Sequence, residues 1–193
     1  PLAQAFALPP SITDRGVQIW SQLRGTPQLE VMRSPYFLSL LVEQVEAAGG
    51  IPEGRAGLFT GFVRRTLRRE VERDNPLFVP DGLLTERDVR RIAQRKWSSP
   101  WELPERGALI PKLSELAFGM QARSAEGGSS QVRIGYDEAL DLLDHDHDEK
   151  IVKAGEALSV LDEDTAQDEV KFFHQLVQEY FAFPDRFLFF AVD

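Results

Sequence analysis

The sequence predicts a mainly α-helical protein: a helical bundle followed by a winged-helix domain with a small β-hairpin wing. Three observations carry this. Apolar residues recur at helical spacing through most of the 193 residues. One turn-rich stretch, Asp162-Glu163-Asp164-Thr165, is flanked by short β-like runs at Leu158–Leu161 and Glu169–Phe173, which read as a hairpin. The composition is that of a packed protein, 42% hydrophobic and 27% charged, with 13 Phe and 3 Trp to offset chain entropy by burial.

Taken in order, Ser11 or Thr13 can cap a first helix carrying Val17, Trp20 and Leu23, which stops near Gly25. A second, short helix starts near Gln28 with Leu29 and Met32. Pro35 breaks the chain there, because the residue before a proline is pushed out of helical geometry. Pro35 then opens a helix from Tyr36 to Ala48, where its missing N–H costs nothing. That helix is apolar around most of its circumference, which predicts burial, and Gly49-Gly50 ends it. A longer helix, about Ala56 to Asp74, turns Leu58, Phe59, Phe62, Val63, Thr66 and Leu67 inward.

Asp74-Asn75-Pro76 and Pro80-Asp81-Gly82 are turn chemistry and give the best domain boundary, between residues 1–80 and 81–193. Beyond it, Thr85 followed by Asp88 predicts a capped helix to about Trp97. A helix from near Gly107 to Arg123 follows, stopped by Glu126-Gly127-Gly128, then short helices at Tyr136–Leu143 and Ile151–Ala157. After the hairpin comes a last helix, His174 to Phe183.

Charge divides the chain. The net charge is −9, yet Glu53 to Lys96 carries +4 and Asp137 to Asp193 carries −12. The acidic end would repel a phosphate backbone, so a nucleic-acid partner is not expected. Oppositely charged halves can instead attract each other, or attract copies of themselves. No apolar run approaches the roughly 20 residues that cross a bilayer, and no signal peptide opens the chain, so the expected location is cytoplasmic. There is no cysteine, hence no disulfide framework and no thiol nucleophile. The opening at Pro1, without Met, gives the expectation of a piece cut from a longer chain.

Candidate chemistry is sparse. No Gly-x-x-x-x-Gly-Lys-Ser/Thr loop exists to surround phosphates and hold magnesium, and Pro52 removes a donor from the superficially similar Gly49–Arg55 stretch. The chain alone is therefore not expected to be an enzyme. Asp144-His145-Asp146-His147-Asp148 begins like a calcium loop, but Glu149 stands where the turn needs glycine and Gly155 where a bidentate Glu is needed. With no third ligand for its two histidines, a solvated acidic turn and no metal is the reading. Arg64, Arg65, Arg68 and Arg69 form one helical stripe, and Arg90, Arg91, Arg95 and Lys96 a second basic cluster. Such clusters are most simply solvated faces or contacts with acidic partners.

One stretch says more. Phe172-Phe173-His174-Gln175-Leu176-Val177-Gln178-Glu179-Tyr180-Phe181-Ala182 is a strand running into an amphipathic helix with His174 at the junction. It resembles the end of the winged-helix domain in NACHT-type signalling ATPases of the STAND class, with Phe183 in place of a second Ala. Met32-Arg33-Ser34-Pro35-Tyr36-Phe37-Leu38-Ser39-Leu40-Leu41 is similar to the motif that opens that family's helical domain. Gly50-Ile51-Pro52-Glu53-Gly54-Arg55-Ala56-Gly57-Leu58-Phe59 resembles its next signature. The three motifs stand in the family's order across about 140 residues.

The resemblance implies that residues 1–80 are a helical lid and that a P-loop core precedes Pro1. Pro35 would then pack near the adenine or ribose, and His174 would approach the phosphates and hold a closed, ADP-bound resting state. It further implies ATP or ADP with magnesium in the parent ATPase, none in this fragment alone, and a homo-oligomer on activation. The upstream P-loop domain of the same chain would be the first partner. A winged-helix nucleic-acid binder and a helical protein-interaction module are the alternatives.

Overall fold

The computed structural model describes Val17, residues 37–39, 41–42 and 45, and then residues 54–80, 82–127 and 133–183. The chain forms two compact units, Pro1–Leu58 and Phe59–Asp193. In the first, Val17 and the described residues between 37 and 45 are helical. Phe37, Leu41 and Val45 are buried at i, i+4 and i+8, whereas Leu38 and Val42 are exposed. Among these described residues, the positions one helical turn apart are buried and their neighbours are exposed. The expected caps of the first helix, the second helix and the break at Pro35 lie outside the described residues.

The division between units falls inside a helix, α1, Gly54–Glu72, and not at the Pro80–Asp81 turn where the sequence suggested it. The reason is side-chain chemistry. Thr60 and Arg69 of α1 bond to residues 120 and 88 positions further along the chain, in each case within the second unit. The turn itself is as expected: Asp74 is left-handed (φ 51°), and the Asn75 side chain accepts from Leu77 N–H at 3.1 Å over a short 3₁₀ turn, Pro76–Phe78. It redirects the chain without ending a core, since Phe78 is buried.

Helix α2, Glu86–Gln94, opens on the Thr85–Asp88 capping box that the sequence indicated. It ends before Trp97 because Arg95 turns left-handed and Lys96 N–H closes back on Arg91 C=O. Helix α3, Leu109–Gly127, buries Leu109, Ile110, Leu113, Leu116, Ala117 and Met120, one continuous stripe.

After α3 come strand β1 (Arg133–Gly135), helix α4 (Tyr136–Leu143), helix α5 (Asp148–Ala157), strand β2 (Leu161–Asp164), strand β3 (Glu169–Phe172) and helix α6 (Gln175–Ala182). The sheet is antiparallel in the order β1-β3-β2. Helix, strand, two helices, hairpin, with the first strand beside the last, is the winged-helix order. β1 was not foreseen; it pairs Ile134 with Val170, both buried, and three residues are too few to show alternation.

The hairpin is present but its turn lies further on than the sequence suggested. Leu158 caps α5 and Ser159 is left-handed, so the first strand starts only at Leu161 and carries the acidic residues expected in the turn. Ion pairs make that tolerable: Lys171 reaches Asp162 at 3.0 Å, and Lys153 of α5 pairs with Glu163. Helix α6 packs most extensively on α3, with Val177, Tyr180 and Phe181 in the shared core. Among the described residues no helix is long and apolar enough to cross a membrane.

Candidate functional site

The end of the wing positions His174. Phe172 is anchored in the core and Phe173 N–H bonds to Val160 C=O at 2.9 Å, which fixes the strand's last residue. His174 then adopts an extended conformation (φ −148°, ψ 144°) and becomes the N-cap of α6. Its C=O accepts from Val177 and Gln178 N–H, and its Nδ1 accepts from Leu176 N–H at 3.1 Å. A ring nitrogen that accepts a hydrogen bond carries no proton, so the proton of the neutral imidazole sits on Nε2. The ring is half-buried, and that burial lowers its pKa below the ordinary 6.5.

Both facts make His174 a neutral cap at physiological pH whose Nε2–H is a fixed donor at the N-terminus of a helix. Protonation would place hydrogen on Nδ1, where the cap needs a lone pair. Because the folded pKa is depressed, the cap's contribution is complete above 6.5 and is lost as pH falls through the lower, folded value. As the pH falls below 6.5, the wild type should lose stability that His174→Asn keeps, since Asn caps without titrating. Urea denaturation of both proteins at a series of pH values measures it; identical pH slopes would show that Nδ1 contributes nothing.

The rest of the motif is packing. Tyr180 is buried against Phe59 at 5.5 Å and Phe181 at 5.4 Å, and its hydroxyl lies 2.7 Å from Thr60 Oγ1. Gln175 Nε2 donates to Glu179 Oε1 at 2.9 Å, one helical turn apart. Within this stretch, His174 is the residue whose ring chemistry is set by the junction and not by the core. Pro35, the other expected nucleotide contact, lies outside the described residues.

The acidic turn between α4 and α5 forms an open groove of about 460 Å³ lined by Leu140, Asp141, Asp144, His145, Asp146 and Asp148. His145 Nδ1 accepts from His147 N–H at 3.1 Å, so one histidine shapes the turn. Among the described residues no group of three His, Asp or Glu is placed to hold a metal ion.

The basic stripe of α1 is not a uniform solvated face. Arg64 stacks 4.3 Å from the centre of the Trp97 ring, and donates to Glu102 C=O and Ser99 C=O, each at 2.8 Å. Arg91 pairs with the Glu102 carboxylate beside it. Burial lowers Arg64 to about 10, which leaves it charged at neutral pH. The cluster pins the loop between α2 and α3 onto α1. The sequence signal was a Trp within a basic run, which spacing alone could not pair with an arginine 33 residues earlier.

The helix-turn-helix of α4 and α5, which a winged-helix nucleic-acid binder would lay on phosphate, carries eight acidic and two basic residues from Tyr136 to Ala157. One of the two, Lys153, is held by Glu163 and Glu156. That face repels a phosphate backbone. No family model, curated protein or solved structure matches the chain.

Proposed function

We propose that this chain is the regulatory helical and winged-helix region of a NACHT-type STAND NTPase, closing over ADP or ATP and controlling a nucleotide-dependent signalling and oligomerisation switch. The observation that carries the reading is the state of His174: capping through Nδ1 commits the ring's proton to Nε2, a fixed donor at a helix N-terminus, where anions are favoured. The nucleotide itself would be held by an upstream P-loop domain with magnesium, in the cytoplasm. This fragment contributes a latch and no catalysis. A single hydrogen bond to a charged phosphate contributes about 1.5–3 kcal/mol, enough to shift a two-state equilibrium more than tenfold. Loss of that contact on nucleotide exchange would release the winged helix and permit assembly.

The capping geometry supplies a test that separates latch from cap. In the full-length parent, His174→Asn retains an N-cap acceptor but removes the Nε2 donor, whereas His174→Leu removes both. Both variants should hold ADP about tenfold or more weakly and assemble without stimulus, while only His174→Leu loses about 1 kcal/mol of stability. ADP release, oligomer size and thermal melts of the three proteins decide the matter. If His174→Asn retains ADP as wild type does, His174 is a structural cap and the latch fails.

A further inference from the structure

The arginines of the second unit differ in their partners. Arg68, Arg69 and Arg91 each have a carboxylate partner: Glu72, Glu70 and Glu102. Arg87 and Arg90 on α2, with Arg95 and Lys96 after it, are exposed, and among the described residues none has a carboxylate within ion-pair distance. The acidic groove shows the reverse. Asp141, Asp144 and Asp146 are exposed, and among the described residues none of them has a cationic partner.

The acidic turn touches the chain just ahead of α2. Gly82, three residues before the α2 cap, has φ +108°, and a Cβ there would lie 2.8 Å from His147 Cδ2. The His147 ring therefore lies against the Gly82 backbone, which sets the acidic turn beside the start of the basic helix. Within one unit, the two patches stay unpaired. A second copy can satisfy both patches at once, because a two-fold axis through a surface with adjacent positive and negative halves brings each half onto its opposite.

We propose that this bipolar surface is the interface of a symmetric dimer, with the basic face of α2 in one copy against the acidic α4–α5 turn of the other, twice. The dimer uses neither His174 nor nucleotide, so it stands apart from the switch described above. Each copy carries −9, so association needs that long-range repulsion screened while close pairs still attract. About 0.1 M salt does so, with a Debye length of about 10 Å, whereas about 1 M salt screens the close pairs as well.

Sedimentation equilibrium of the 193-residue chain tests this, together with Arg87→Glu/Arg90→Glu and Asp141→Lys/Asp146→Lys. The wild type should be dimeric at about 0.1 M salt and dissociate at least tenfold more readily at about 1 M. Each reversal alone should be monomeric, since like charges then meet at both contacts. Their equimolar mixture should regain a 1:1 dimer. A reversal variant whose circular dichroism shows loss of fold is replaced by its neutral form, Arg87→Gln/Arg90→Gln or Asp141→Asn/Asp146→Asn, which should weaken the dimer in the same direction. A monomeric wild type, a dimer indifferent to salt or to the variants, a mixture that stays monomeric, or growth past two copies would each overturn the proposal.

Discussion

Replacing Tyr180 by Ala should destabilise the second unit by about 3–5 kcal/mol, the cost of truncating a large aromatic in a packed core. Tyr180 is 1% exposed, tilted against Phe59 and edge-on to Phe181, and it joins α6 to α1 across 120 residues of sequence. Two contributions can be separated. Tyr180→Phe keeps the ring and removes the hydroxyl, leaving Thr60, which is 0% exposed, without that partner. An orphaned buried hydroxyl costs about 1–3 kcal/mol, and removing both polar groups together can be nearly neutral. Thr60→Val with Tyr180→Phe should therefore be more stable than the sum of the single changes predicts. Urea denaturation of the four proteins closes the cycle. Strictly additive effects would mean that the 2.7 Å contact contributes nothing beyond packing.

This tie also shows why the unit division was not legible. The turn chemistry from Asp74 to Gly82 was read correctly as turns, but turns report local geometry and not which side chains meet beyond them. Nothing in the spacing of Thr60, Arg64 and Arg69 announces that they reach Tyr180, Glu102 and Ala157. Local signals fared better. The Thr85–Asp88 box, α4 from Tyr136 to Leu143, and α6 between His174 and Phe183 stand where capping and periodicity put them. Their determinants lie within one helical turn of each other. The hairpin is intermediate: its existence followed from two β-like runs, but its turn moved because cross-strand ion pairs let Asp162 and Glu163 serve as strand residues. For the site, the junction position of His174 was legible. The tautomer its Nδ1 cap imposes was not, since that depends on the path of the backbone at Leu176.

Asp88 is the one acidic side chain of α2 that is buried, and its loss should be costly as well. Its Oδ2 accepts from Thr85 N–H at 3.0 Å, from the Thr85 hydroxyl at 2.6 Å and from Gly107 N–H at 2.9 Å. One carboxylate oxygen thus caps α2 and clamps the loop entering α3. That loop passes so close to the chain before α2 that a Cβ on Gly107 would lie 2.2 Å from Leu83 C=O, and Leu109 N–H bonds to the same carbonyl at 3.1 Å. Asp88→Ala removes half of the capping box, about 1 kcal/mol, and leaves the Gly107 N–H buried and unsatisfied, about 1–3 kcal/mol more. A total of about 2–4 kcal/mol should lower the melting temperature by roughly 2–4 °C for each kcal/mol. Asp88→Asn keeps a carbonyl acceptor and should recover part of the loss. Gly107→Ala should destabilise to a similar degree by a different route, forcing the loop away from Leu83. Asp88→Ala and Gly107→Ala then disturb the same contact and should be less than additive when combined, because the loop can be displaced only once. Full additivity in thermal or urea melts would mean that Asp88 acts only as a helix cap and that the clamp on the loop contributes nothing.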